Sequence, residues 1–405
     1  MIQQENLKNA LQHSLDWFQQ SGIMTPSDGF WGVAERLFNT KDPELRKHVL
    51  DSFGSFTEYP DWMVVESRRP DCNFQAAYLF LLASQQDPKY RKVAENLLDY
   101  LYSRSGLLNR GASTRAPLGT WNWSHTQWCA RLWFDDNSWT LAIPLLILKQ
   151  FPELDKKFEI RHWAEILSKE LAIAFERAFH CGEVIYSQDC YDPMTLWLGR
   201  VFLPHWGSLV CFALTLAHEA GIGQESDLKL IREYHCYLRS AIDSLNVSEL
   251  AYALIGSSAA AKILGDDLYK DLAFALADRI LTRIDPVTGN VPAEHYEAPQ
   301  GAHLVDTIYT VNWVLLGFQN FLALQPGQKY RDAYEKMLSL ILKIQDNQSP
   351  HPYCGCWRGM FDLNTNDWGG GDSYEGGAAS TYSGWTNAPL AIVICNELSN
   401  KTLID

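Results

Sequence analysis

The chain has 405 residues, of which 47% are hydrophobic and 20% charged, a composition typical of a folded globular protein. Its formal net charge of −14 excludes nucleic acid and anionic membranes as expected partners, because binding them requires lysine and arginine to replace counterions. The nine irregularly spaced cysteines, the polar start at residues 1–6 and the lack of a membrane-length apolar run predict a cytoplasmic protein without disulfides.

Apolar residues recur at helical spacing from one end of the chain to the other. The pattern predicts twelve helices, at residues 7–20, 74–84, 90–102, 139–151, 160–179, 206–220, 227–242, 249–264, 269–284, 308–324, 330–344 and 389–398. No stretch alternates apolar and polar residues for long enough to predict a sheet. The sequence therefore predicts an all-α protein.

The predicted helices are of two alternating kinds. One kind is apolar on nearly every face, as in LAIPLLIL at 141–148, and such a helix is buried on all sides. The other kind, such as 160–176 and 227–240, is amphipathic and charged. This alternation predicts an inner ring of six helices inside an outer ring of six. We expect one domain over residues 1–405 with the architecture of an (α/α)6 toroid.

Polar or aromatic residues mark the start of each predicted inner helix. They include Asp71, Asp136, Trp206, Glu249, Asp306 and Asn387. Because the inner helices of such a ring run parallel, their amino termini meet at one end, and we expect these residues to form the floor of a single site. The glycine-rich segment 369–387 precedes the last inner helix and is expected to overhang this floor.

Two segments place paired carboxyl groups beside aromatic side chains: Asp135 with Asp136, and Asp372 with Glu375. Like charges held together in a partly dry site raise one pKa, which keeps one carboxyl group protonated as a general acid. Glycoside cleavage needs such an acid and a second carboxylate that attacks or activates water. The simpler alternatives are helix capping for the first pair and a solvated turn for the second.

Aromatic residues make up 13% of the chain, and many stand in polar, glycine-rich stretches that suit stacking against sugars. The residues predicted to contact a sugar are Trp121, Trp123, His125, Trp139, Asp306, Trp313, Tyr374, Trp385 and Asn387. Core packing is the alternative for the aromatic residues, helix capping for Asp306, and a structural role for the isolated His125.

Two motifs resemble those of the six-hairpin glycosidase superfamily. The stretch WFDDNSW (133–139) resembles the paired-aspartate motif of glycoside hydrolase family 76, the endo-α-1,6-mannanases. This resemblance implies that Asp135 and Asp136 are the nucleophile and the acid/base. The stretch GGGDSYE (369–375), followed by GWTN (384–387), is similar to the carboxy-terminal signature of trehalases, which implies a general base at Asp372 or Glu375.

The leading hypothesis is a glycoside hydrolase that acts on an oligosaccharide without a cofactor or a metal ion. One alternative is a sugar epimerase or isomerase on the same toroid, since His125, His205, His295 and His303 are available for proton transfer. No pair of these histidines falls at matching positions of the inner helices. A third hypothesis is a carbohydrate-binding toroid without catalytic activity.

Overall fold

The computed structural model describes residues 2–111, 116–125, 132–181, 197–294, 301–371 and 377–405. Within these ranges the inner helices are α3 (Pro70–Ser84), α5 (Phe134–Gln150), α8 (Pro204–Glu219), α10 (Val247–Leu264), α12 (Val311–Leu322) and α14 (Ala388–Leu398). The outer helices are α1 (Gln4–Gln20), α4 (Lys89–Asp99), α7 (Ile160–Cys181), α9 (Glu225–Ala241), α11 (Asp267–Leu281) and α13 (Gln328–Ile344). Two shorter helices are α2 (Pro43–Ser52) and α6 (Asp155–Phe158).

Each inner helix packs against its two neighbours, and the ring closes where α14 meets α3. Every residue of α3 from Pro70 to Ala83 is buried, whereas α9 buries a stripe that recurs every three or four residues. Helix α10 has the length and composition of a membrane span, but 78% of it is buried inside the protein. This is the (α/α)6 toroid, and the predicted architecture is confirmed.

Aromatic rings fill the axis of the toroid below the amino termini of the inner helices. Trp139 of α5 and Trp313 of α12 stack across the ring with their centroids 5.4 Å apart. Phe212, Tyr252 and Trp385 pack against this pair. We call these five residues the aromatic plug. The plug gives the site above it a closed, apolar base.

The described part of the chain contains nine short strands, which correct the prediction that the chain forms no sheet. Strands β1 (Arg36–Asn39), β2 (Phe56–Glu58), β3 (Trp62–Val65) and β9 (Ser380–Tyr382) form an antiparallel sheet in the order β2-β3-β1-β9. The others are β4 (Leu132–Trp133) paired in parallel with β5 (Trp197–Leu198), and the antiparallel set β6 (Leu304–Asp306), β7 (Met360–Asp362) and β8 (Asp367–Trp368). Strands of two to four residues are too short to show an alternating pattern.

Two helix starts differ from the prediction in a way that matters for the site. Helix α3 begins at Pro70 rather than at 74, and α5 begins at Phe134 rather than at 139. The polar residues at these positions were expected to precede the helices, but they lie within the first turn. Proline favours the first helical turn because its fixed φ suits it, which explains the start of α3.

The packing of α8 on α9 leaves no space for a side chain at Gly207. A Cβ atom there would lie 2.2 Å from the carbonyl oxygen of Val201 and 2.3 Å from the hydroxyl oxygen of Tyr234. We therefore expect Gly207→Ala to lower the free energy of unfolding by about 3 kcal/mol, measured by urea denaturation. Gly54→Ala is the matched control, since a Cβ at Gly54 meets nothing within 4 Å. Equal stability of the two variants would contradict this account.

Candidate active site

The amino termini of the six inner helices meet at one end of the toroid, as predicted. Arg69, before α3, contacts Asp136 of α5, and Asp135 of α5 contacts His205 of α8. The backbone N–H of His205 donates to Glu249 of α10 at 2.7 Å. Hydrogen bonds complete the circle between Ser248 and Thr310, Asn312 and Trp385, and Trp385 and Asp71. One continuous polar floor results.

Arg69 is the centre of a buried charge cluster on this floor. Its guanidinium donates to both carboxylate oxygens of Asp71, at 3.1 and 2.9 Å, and lies 3.4 Å from Glu35. Asp136 accepts a further hydrogen bond from the same group. Arg36 contacts Glu35 at 3.7 Å, which leaves Arg69 to neutralise both Asp71 and Asp136. Two buried carboxyl groups facing one guanidinium favour retention of a proton.

Asp136 holds its proton more tightly than an ordinary aspartic acid does. Burial raises its pKa, Arg69 lowers it, and the charges of Asp71 and Asp135 raise it further, so the net pKa lies well above the usual value. For Arg69 the balance favours the charged form. Burial lowers its pKa, but the carboxylates of Asp136 and Asp71 more than offset this effect.

Asp135 pairs with α8 rather than with Arg69. Its Oδ2 lies 3.0 Å from Nε2 of His205, whose ring stacks on Trp206 and Tyr252 with centroids 4.6 Å apart in each pair. Oδ1 of Asp135 and Nδ1 of His205 are buried and have no hydrogen-bond partner among the residues described. Buried polar atoms are normally hydrogen-bonded, so each of these two atoms requires a partner that the described residues do not supply.

Neither aspartate caps α5. The N-cap residue is Trp133, and Asp135 and Asp136 follow in the first turn with their carboxylates directed to neighbouring helices. The capping alternative therefore does not hold. The helix dipole at this position favours negative charge on both groups, in opposition to their burial.

Three of the predicted sugar contacts lie around the charge cluster. Trp385 and Trp123 flank Arg69, with the guanidinium carbon 5.4 and 5.5 Å from their ring centroids. The indole N–H of Trp385 also donates to Asp71 at 2.7 Å. Trp123 is half-buried, and His125 is exposed with its Nδ1 3.2 Å from the backbone N of Arg68. Trp123 and His125 form one wall of the site, and Trp385 joins this wall to the aromatic plug.

The other described residues that were predicted to contact a sugar pack or form hydrogen bonds within the protein. Trp139 and Trp313 belong to the aromatic plug and are 1% and 0% exposed. Trp121 is buried, and its backbone N–H donates to the side-chain oxygen of Asn137. Asn387 is hydrogen-bonded to the backbone of Trp357 and Tyr382, and Asp306 accepts from the N–H groups of Ile308 and Tyr309. Direct contact of these five residues with a sugar stays a prediction.

The candidates Asp372, Tyr374 and Glu375 lie outside the described residues. The glycines on either side of them bring the two ends of the segment together: Ala378 N–H donates to Gly370 O at 3.1 Å. A Cβ on Gly371 would lie 2.3 Å from the Cα of Gly377, and φ at Gly371 is +104°. Several glycines are thus required because two stretches of backbone touch here.

The sequence alone did not assign a role on the floor to Glu35 or Arg69, whereas Glu249 was expected there. Arg69 pairs with its near neighbour Asp71, but its link to Asp136 depends on the packing of α3 against α5. Glu35 reaches the floor because β1 pairs with β3 and β9. Burial raises the pKa of Glu249, and His205 opposes the shift. Among the residues described, no group of three or more His, Cys, Asp or Glu has the arrangement of a metal site.

Comparison with solved structures identifies the fold. The cellobiose 2-epimerase from Bacillus thermoamylovorans B4167 aligns with a TM-score of 0.65 and 10% identity over 98% of this chain and 99% of that one. The GH76A α-1,6-mannanase from Salegentibacter sp. HEL1_6 aligns with a TM-score of 0.57 and 13% identity over 98% and 99%. An inactive variant of that mannanase, with two adjacent aspartates replaced by asparagine, is in complex with α-1,6-mannotriose (TM-score 0.54, 12% identity, 98% of both chains).

No protein-family model and no curated protein sequence matches the chain. The structural neighbours are six-hairpin glycosidase-fold proteins, and they include both a hydrolase and an epimerase. At this level of identity the likeness shows the fold alone. The chemistry must be argued from the site.

Proposed function

We propose that the protein is a glycoside hydrolase that cleaves an oligosaccharide with carboxyl groups as acid and base. The observation that carries this proposal is the contrast between two adjacent aspartates. Burial and the charge of Asp71 raise the pKa of Asp136 despite its contact with Arg69, whereas Asp135 is paired with an imidazole and has one buried oxygen without a hydrogen-bond partner among the residues described. Neighbouring carboxyl groups in contrasting environments are typical of an acid paired with a nucleophile or base.

The roles follow from these environments. Protonated Asp136 donates its proton to the glycosidic oxygen, and Arg69 then stabilises the carboxylate that remains. Oδ1 of Asp135 attacks the sugar or activates water while His205 holds the other oxygen. Asp372 or Glu375, from the segment 369–387, is the alternative second carboxylate. The ring of Trp123 supports the sugar beside Arg69.

A panel of oligosaccharides tests this proposal. The panel includes α-1,6-mannotriose, because a structural neighbour binds it, and cello-, malto- and xylo-oligosaccharides. We expect new reducing ends from at least one of them, detected by chromatography of the products. Saturable binding with no product from any sugar would instead favour a carbohydrate-binding protein.

The pairing of His205 with Asp135 favours a sugar epimerase or isomerase as the second candidate. An imidazole oriented by a carboxylate is a suitable base for removing a proton beside a carbonyl group. The same panel separates the two activities, because epimerisation yields an isomer of unchanged length. An isomer without new reducing ends would overturn the hydrolase proposal in favour of this one.

The raised pKa of Asp136 predicts how the rate depends on pH. A general acid must be protonated, so we expect kcat to fall as pH rises through the pKa of Asp136, above that of an ordinary aspartic acid. The free energy of unfolding should also fall as pH rises, because the raised pKa makes the folded state bind more protons than the unfolded state. A pH–rate profile with no decline on the alkaline side would contradict the assignment.

A further inference from the structure

A tight turn at the end of the toroid that carries the site displays two large aromatic side chains. Phe30 and Trp31 are its central residues, and Gly32 N–H donates to Gly29 O at 3.0 Å to close it. Both glycines have positive φ, +79° and +77°. A Cβ on Gly32 would lie 2.5 Å from the ring of Tyr100, so the turn is seated tightly on the helices beneath it.

Side chains from neighbouring parts of the chain hold the backbone of this turn in place. Arg104 donates to Phe30 O at 3.1 and 2.8 Å, and Arg68 donates to Trp31 O and Gly32 O, each at 2.7 Å. The Asn73 side chain bonds both N–H and C=O of the next residue, Val33. Every carbonyl from Phe30 to Val33 is therefore tied to the fold.

The side chains of this rigid turn are nevertheless open to solvent. Trp31 is 51% exposed and Phe30 is 40% exposed. The guanidinium of Arg104 covers one face of the Phe30 ring at 4.1 Å, and the edge contact between the two rings has a centroid distance of 5.0 Å. Trp31 is consequently the ring that presents open apolar surface. A large exposed ring on a fixed backbone costs little entropy to immobilise when it binds a ligand.

The turn is continuous with the wall of the candidate site. Arg68, which holds Trp31, is also within 3.2 Å of His125 through its backbone N. The next residue, Arg69, belongs to the charge cluster and faces Trp123. Trp123 therefore lies beside Arg69, and His125 and the backbone of Trp31 lie beside Arg68, so these three residues follow one segment outward from the carboxyl groups.

We propose that Trp31 is a distal sugar-binding subsite, which stacks against a unit of the substrate remote from the bond that is cleaved. This inference rests on the proposed function in one respect, namely that the ligand is an oligosaccharide. Beyond the proposed function, the subsite implies that the substrate is longer than a disaccharide. The positive charge of Arg68 is neutralised by Glu66 at 2.7 Å, so the subsite takes a neutral sugar rather than an acidic one.

Calorimetric titration of a ladder from disaccharide to hexasaccharide tests the subsite without relying on catalysis. The probes are α-1,6-mannooligosaccharides and cello-oligosaccharides. Trp31→Ala should weaken hexasaccharide binding about tenfold and leave disaccharide binding unchanged, and Trp31→Phe should retain most of the affinity. Ile173→Ala, on the outer helix α7, removes a side chain that is 54% exposed and should change neither affinity.

Each other outcome is decisive. The subsite would be overturned if Trp31→Ala lost equal affinity for the disaccharide and the hexasaccharide, or lost affinity for neither. It would also be overturned if no probe bound to the wild-type protein. Unchanged sugar affinity together with an altered oligomeric state of Trp31→Ala would identify a second copy of the chain as the occupant. Length-dependent binding without cleavage would support the subsite and overturn only the hydrolase proposal.

Discussion

Replacing Asp136 with asparagine is expected to lower kcat by about 10²–10⁴-fold while the protein stays folded. Asparagine preserves the shape of the side chain and its ability to accept a hydrogen bond from Arg69, but it has no carboxyl proton to donate. Arg69 keeps Asp71 as a bidentate partner and Glu35 nearby, so the cluster retains opposite charge. The measurement is steady-state kinetics on the sugar that the panel identifies, with circular dichroism to verify folding.

Asp227→Asn is the matched control for this variant. Asp227 is also a buried aspartate in the first turn of a helix, and it accepts a hydrogen bond from the backbone N of Gln224. It lies on the outer helix α9, away from the floor. We expect the control to retain kcat, since asparagine can accept the same hydrogen bond. Full activity of Asp136→Asn would show that the group does not donate a proton in the reaction.

Replacing Arg69 with methionine is expected to reduce the free energy of unfolding by about 3–5 kcal/mol and to abolish activity. The substitution leaves the buried carboxyl groups of Asp71 and Asp136 without their common cation. The pKa of Asp136, which burial already raises, should then rise further in the folded variant, because Arg69 no longer lowers it. Stability of the variant should then decrease as pH rises, because its folded state binds more protons than its unfolded state.

Urea denaturation at acidic and neutral pH measures this effect. Arg46→Met is the control, because Arg46 forms an exposed pair with Glu58 and such pairs contribute less than about 1 kcal/mol. We expect the difference in stability between the two variants to be larger at neutral pH. If Arg69→Met lowered the free energy of unfolding no more than the control does, Arg69 would not be the centre of the floor.

The sequence predicted the elements whose signal is long and periodic. Twelve helices and their division into two rings follow from apolar residues on all faces of α5 and on one face of α9. The inner helices of such a toroid run parallel, so their amino termini meet at one end. For this reason Asp136 and Trp206 could be placed on one floor. The roles of these residues in catalysis stay a proposal.

The contacts between distant residues could not be predicted in the same way. Arg69 contacts Asp136 because α3 packs beside α5. The spacing of residues along the chain does not indicate this contact. Trp139 and Trp123 are both tryptophans near the paired aspartates, yet one is buried in the plug and the other lies in the wall. Residue type alone does not distinguish a ring that supports a site from one that lines it.

A crystal structure of Asp136→Asn with a bound oligosaccharide would test the central claim most directly. The account predicts that the glycosidic oxygen lies within about 3.2 Å of the side chain at position 136, with the sugar beside Trp123 and Asp135. A sugar whose ring carbons face His205 while its glycosidic oxygen is remote from position 136, or one bound elsewhere on the protein, would contradict it.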